Sequence, residues 1–195
     1  MQLRFLAGAV GAVGLLAATC ATAAPNGRSA PPATTVAASP FSNFFAMFSA
    51  VPRTTVEFPG NHKPGTIIIS TQQRRLYLVL GNGQALRYGI GVGRDGFTWG
   101  GRTTITDKRE WPDWTPPEQM LKRRPDLPHH MAGGPDNPLG ARAMYLGDTM
   151  YRIHGSNEPQ TIGTAASSGC IRLTNDDVID LYNRVKVGTT VIVQQ

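Results

Sequence analysis

The chain has 195 residues, a formal charge of +6 and two cysteines, Cys20 and Cys170. Basic residues are scattered apart from Lys122-Arg123-Arg124 and are not interleaved with aromatics, so nucleic acid is not the expected partner. A basic chain of this kind suits an anionic surface such as a cell wall.

At the N-terminus Arg4 precedes an apolar run from Leu6 to Ala18, and Ala21-Thr22-Ala23 matches a small-x-small cleavage site. Residues 1–23 therefore read as a signal peptide. The run falls short of the roughly 20 residues that a spanning helix needs, so no stable membrane span is expected after cleavage. Ala17-Ala18-Thr19-Cys20 fits a lipoprotein site poorly. Cleavage would leave Cys170 as the single thiol of an exported protein, where thiols are usually paired. Residues 24–63 are rich in Ala, Pro, Ser and Thr and read as a flexible linker. Phe41, Phe44, Phe45 and Phe48 interrupt it with a spacing of one helical face, expected to dock on the domain rather than on a membrane surface.

Residues 64–195 are long enough for one domain with its own core. Thr66–Ile69 and Arg75–Leu80 are apolar, β-branched runs that predict strands. Asn82-Gly83 predicts a hairpin turn into a return strand from Gln84 to about Val92. Arg102–Asp107 reads as another strand. Lys108 to Gly140 is a long Pro/Gly-rich loop, and Thr115-Pro116-Pro117-Glu118 predicts a short helix to about Arg123, opened by a capping box. Ala143–Leu146 and Met150–His154 read as strands. Thr174 or Asn175 caps a helix whose buried stripe is Val178, Leu181, Tyr182 and Val185, ended by Gly188. Thr189–Val193 closes the chain as a strand. The expected fold class is mainly β: a small sandwich or partly closed barrel with one or two short helices.

The chemistry gathers near Cys170. A thiol attacks as its thiolate, and a histidine can take its proton and return it to a leaving amine. His154 ends a predicted strand, and a loop containing Gly155, Gly163 and Gly169 connects it to Ser167-Ser168-Gly169-Cys170. The turn at Gly169 could aim the Gly169 and Cys170 amides at a developing oxyanion, with the Ser168 hydroxyl as a further donor. A buried structural cysteine and a satisfied histidine are the alternative. His129-His130 are adjacent and in a loop, which does not suit a zinc site. Gly89, Gly91, Gly93 and Gly96 are not followed by a helix, against a nucleotide loop. No metal and no cofactor are expected. Trp111 and Trp114 either pack the long loop or line a substrate groove.

Ile153-His154-Gly155 with Ser167-Ser168-Gly169-Cys170-Ile171-Arg172-Leu173 resembles the signature of the L,D-transpeptidase catalytic domain, also called the YkuD domain. Tyr88 to Gly96, the tryptophan-containing loop and Gly133 to Ala143 extend the likeness across residues 64–195. The resemblance implies a peptidoglycan cross-linking enzyme of the cell wall, placed in the periplasm. Its cysteine attacks the carbonyl of the third residue of a tetrapeptide stem and expels D-alanine. An amine of a second stem, or of a wall-anchored lipoprotein, resolves the thioester. It implies Cys170 as nucleophile, His154 as general base and acid, backbone oxyanion donors at Gly169 and Cys170, and Arg172 as a substrate contact or a loop-fixing ion pair. Ser168 stands where many relatives carry histidine. Water as acceptor, giving an L,D-carboxypeptidase, and a non-catalytic wall-binding module are the other readings.

Overall fold

The structure, a computed structural model, describes residues 51–195. The expected signal peptide and the phenylalanine cluster lie outside them. The strands are β1 (Thr54–Glu57), β2 (Ile67–Ser70), β3 (Arg75–Gly81), β4 (Gln84–Gly89), β5 (Val92–Gly93), β6 (Gly101–Glu110), β7 (Arg142–Leu146), β8 (Arg152–His154), β9 (Ala165–Ser167), β10 (Ile171–Arg172) and β11 (Thr190–Gln194). Among the described residues two α-helices, α1 (Glu118–Arg123) and α2 (Asn175–Arg184), accompany them.

Among the described residues, nine strands form one open sheet in the order β1-β4-β3-β2-β11-β6-β7-β8-β10, and β5 pairs with β9. The fold is mainly β, as expected, and the sheet does not close. Its two halves share a core. Ile67, Ile69, Leu76, Leu78, Tyr88, Val191 and Val193 on one side meet Met144, Leu146, Ile153 and Ile171 on the other, with Val178 and Leu181 of α2 between them. No helix among the described residues is long and apolar enough to cross a membrane.

Several elements differ from expectation for identifiable reasons. β1 lies inside the stretch read as linker. Thr54–Glu57 pairs antiparallel with β4, and Arg53 nearby bonds Asp177 of α2 at 3.1 Å. The strand predicted from Gln84 to Val92 breaks after Gly89. Gly91 leaves the sheet to exchange backbone hydrogen bonds with Arg172, both 2.9 Å. That detour ties the hairpin region to β10. The capping box at Thr115 does not form: Pro117 occupies the cap position of α1 with no side-chain cap bond. At α2 the expected cap holds, with Thr174 accepting from the Asp177 amide at 3.2 Å. This helix ends at Arg184, before Gly188, and Lys108 donates to its last carbonyls, Tyr182 at 2.7 Å and Val185 at 2.6 Å.

Candidate active site

β8 and β10 run parallel, with Ile153 opposite Ile171 and His154 opposite Arg172. Side chains alternate along a strand, so the two isoleucines enter the core while the flanking residues turn to the other face. Arg152 and His154 of β8 thereby share that face with Arg172 of β10. The parallel pairing sets His154 at the end of β8 opposite Arg172 of β10, and Cys170 immediately precedes β10. Cys170 is a free, half-buried cysteine, and its Sγ lies 3.9 Å from the Met150 carbonyl.

His154 is only 4% exposed. Its Nδ1 lies 2.6 Å from the carbonyl oxygen of Gly155. A carbonyl only accepts, so Nδ1 carries the proton and Nε2 keeps its lone pair. Burial lowers the pKa of the ring to about 3, helped by the positive charges of Arg172 and Arg152 and opposed by the Gly155 and Leu139 carbonyls. The imidazole is therefore neutral at neutral pH, in the form that can accept a proton.

The long loop roofs this histidine, and Asn137 organises it. Asn137 is fully buried, and its amide nitrogen donates to the carbonyls of Pro112 at 3.1 Å, Ala132 at 3.0 Å and Met131 at 3.3 Å. Its oxygen accepts from the Leu139 amide at 2.9 Å. Trp114 and Met131 exchange two backbone bonds of 2.8 Å across the loop. Leu139 is delivered to the imidazole in consequence. Trp111 and Trp114 are part of this loop, and among the described residues neither is hydrogen-bonded to Cys170 or His154; Trp111 is 43% exposed.

The segment before the cysteine is held differently from expectation. The Gly169 amide, expected as an oxyanion donor, already donates to Ser167 Oγ at 3.1 Å. The Ser167 hydroxyl in turn donates to the Cys170 carbonyl at 2.6 Å. An amide committed inside a buried turn cannot also serve an incoming oxygen. The Cys170 amide, by contrast, has no acceptor among the described residues. Ser168 has no side-chain hydrogen bond among them either. The serine that shapes the turn is Ser167, 2% exposed, rather than Ser168.

Two aromatic residues complete the site. Trp99 Nε1 donates to the Gly169 carbonyl at 3.0 Å, and its ring stacks on Tyr151 at 4.8 Å and 6°. Gly169 has φ of +106°, and a Cβ there would collide with the Tyr151 ring. Both the backbone region and the stacked wall thus require glycine. Gly169→Ala is expected to reduce thiol alkylation and turnover about ten-fold or more while leaving the far half of the sheet intact, which kinetics beside a far-ultraviolet CD spectrum would check. Unchanged kinetics would show that the turn tolerates a side chain.

Arg172 meets Glu158 at 3.5 Å and stays largely covered, so the loop-fixing ion pair is present.

The family model of the YkuD L,D-transpeptidase catalytic domain matches residues 64–193. The chain belongs to this L,D-transpeptidase family. Among curated relatives, the Probable L,D-transpeptidase ErfK/SrfK of Escherichia coli K12 is 39% identical over 134 residues, which are 64% of this chain and 42% of that one. The chain thus spans less than half the length of that relative. A crystal structure from Brucella melitensis, described as a probable carnitine operon oxidoreductase, is 48% identical, covering 77% of this chain and 99% of that chain with a TM-score of 0.50. An L,D-transpeptidase from Mycobacterium smegmatis shares the fold at a TM-score of 0.54 and 18% identity, covering 67% of this chain and 58% of that chain.

Proposed function

We propose that this L,D-transpeptidase family member is an exported acyltransferase that cross-links peptidoglycan stem peptides through a Cys170 thioester. The observation that carries the reading is the shared face of β8 and β10. The pairing of His154 with Arg172, next to Cys170, and an imidazole whose Nδ1 faces the Gly155 carbonyl support this reading.

Cys170 Sγ attacks the carbonyl of the third stem residue, and its proton passes to Nε2 of His154. The charge that develops on the carbonyl oxygen is met by the Cys170 amide, with the Ser168 hydroxyl within the same turn. His154 then returns the proton to the nitrogen of the departing D-alanine, leaving the acyl group on sulfur. An acceptor amine, from a second stem or a wall-anchored lipoprotein, repeats the sequence in reverse and frees the thiol. Arg172 keeps the nearby loop in place through Glu158. Trp111, exposed on the roofing loop, and Trp114 beside it offer aromatic surface to a longer substrate. An exported protein in the periplasm, close to the wall, would meet this substrate directly.

Incubating the protein with a tetrapeptide stem and a diamino-acid acceptor, then analysing by intact-protein and product mass spectrometry, tests the reading. The expected result is an acyl adduct on Cys170, release of D-alanine and a cross-linked dimer. A tripeptide as the only product would make water the acceptor and the protein a carboxypeptidase. No adduct with any stem would overturn the acyltransferase reading.

A further inference from the structure

Among the described residues, two arginines by the site lack a carboxylate partner: Arg94, whose guanidinium lies over the Phe97 ring at 4.5 Å, and Arg152. Arg172 meets Glu158, Arg109 meets Asp107 at 2.7 Å and Arg142 meets Glu110 at 3.0 Å. Arg152 has no carboxylate partner among the described residues. Its guanidinium lies 5.0 Å from the centre of the Tyr145 ring, and its Nε is buried without a hydrogen-bond partner. Nη1 donates to the Met150 carbonyl at 3.1 Å, the same oxygen that Cys170 Sγ approaches at 3.9 Å. The register explains this proximity. Ile153 stands opposite Ile171, so Arg152 and Cys170 are the residues that immediately precede this pair.

A cation fixed on an aromatic face, lacking a counterion and sharing an oxygen with the nucleophile, is built to receive an anion. Resting on the function proposed above, we propose that Arg152 is a specificity residue that binds the terminal carboxylate of the stem's leaving D-alanine. In a tetrapeptide that carboxylate is three bonds from the carbon under attack. Bonds of about 1.33, 1.46 and 1.52 Å place it no more than about 4.3 Å from that carbon. Sγ in contact with the scissile carbonyl therefore brings the carboxylate within the reach of a guanidinium beside the sulfur. Arginine suits the task because its planar fork can engage both carboxylate oxygens. An occupied Arg152 would orient the scissile bond toward Cys170 and favour stems that end in a free acid over those that are amidated or extended.

The test is calorimetric binding of two tetrapeptides, one ending in D-alanine and one in D-alaninamide, to Cys170→Ala protein, which cannot turn them over. The acid is expected to bind about ten- to a hundred-fold more tightly than the amide. Adding Arg152→Ala should remove that preference and leave the affinity for the amide unchanged, and Arg152→Lys should keep part of it. Equal binding of the two peptides before the change, or a preference that survives it, would overturn the proposal. An equal loss for both peptides would do the same, since it would mark Arg152 as a structural support. If either happened while the otherwise unaltered protein still formed its Cys170 adduct, the acyltransferase reading would stand. Failure of both the binding and the adduct would overturn the two together.

Discussion

Cys170→Ala is expected to abolish thioester formation and with it turnover of a tetrapeptide stem, a loss beyond the sensitivity of a mass-spectrometric product assay. The face shared by β8 and β10 is flanked by one nucleophile; its side chains are arginines and the buried His154. Ser168, adjacent in the same turn, has no base bonded to its hydroxyl among the described residues. An alkoxide is far harder to generate than a thiolate, so it would not substitute. The alanine removes only a half-buried sulfur whose hydrogen bonding among the described residues is a long approach to the Met150 carbonyl. Thermal stability should therefore change by less than about 1 kcal/mol, which makes the variant a clean probe. Full cross-linking by Cys170→Ala in the product assay would remove the basis for the mechanism.

His154→Gln is expected to lower the rate of Cys170 acylation by about a hundred- to ten-thousand-fold, the usual contribution of a positioned general base. Glutamine can still donate to the Gly155 carbonyl, but it supplies no lone-pair nitrogen for the proton of the thiol. The pH dependence gives a second readout. Since burial and the two arginines hold the imidazole pKa at about 3, His154 should not produce an acid limb near the ordinary histidine value in the acylation profile. Folding stability should show the same depression. Between the ordinary value of 6.5 and about 3, the unfolded chain binds the proton that the folded protein refuses. The contribution is therefore fully present above about pH 6.5 and is lost as the pH falls through that window. Denaturant titrations should show stability dropping on acidification, and His154→Gln should flatten that part of the curve. An acid limb near 6.5 that vanishes in the variant would mean that the imidazole is far better solvated than the roof of Leu139 and Asn137 implies.

The strands that could be read in advance are those whose pattern is carried by their own residues. Ile67, Ile68 and Ile69, or Leu76 and Leu78, announce a strand because burial and β-branching coincide over several positions. β5, β9 and β10 are two or three residues long and are defined by what they pair with, so alternation has no room to show. β1 was hidden by the composition upstream of it, although Thr54–Glu57 does alternate between half-buried and exposed positions. The site divides along the same line. Cys170 and His154 are recognisable because their residue types and loop spacing carry the chemistry. Trp99 and Tyr151 are far apart in sequence and become partners only when β6 and the β7–β8 turn are folded, and neither carries a local signal. Asn137 did have one: an asparagine before proline in a loop too long to be structureless. Ser167 and Ser168 are adjacent and chemically identical, and only the folded turn shows that Ser167, at the end of β9, is the one that is buried and hydrogen-bonded.

The group that orients the imidazole is part of the main chain, and this changes how the site can fail. Where a carboxylate side chain performs that task, one codon change deletes it. Here any residue at position 155 would still supply a carbonyl, so the orienter cannot be lost by substitution. It can only be displaced. Gly155 is packed against the Asn175 side chain, the Ala141 amide and Val178, and a Cβ there would run into Asn175 Oδ1. The Asn175 oxygen is in turn engaged by the Ala141 amide at 2.9 Å. Mutational fragility has thus moved from the identity of a side chain to the fit of a helix start against a backbone. Variation that inactivates the histidine is to be sought in the first turn of α2 and in the Gly140–Ala141 corner as much as at the residue beside it.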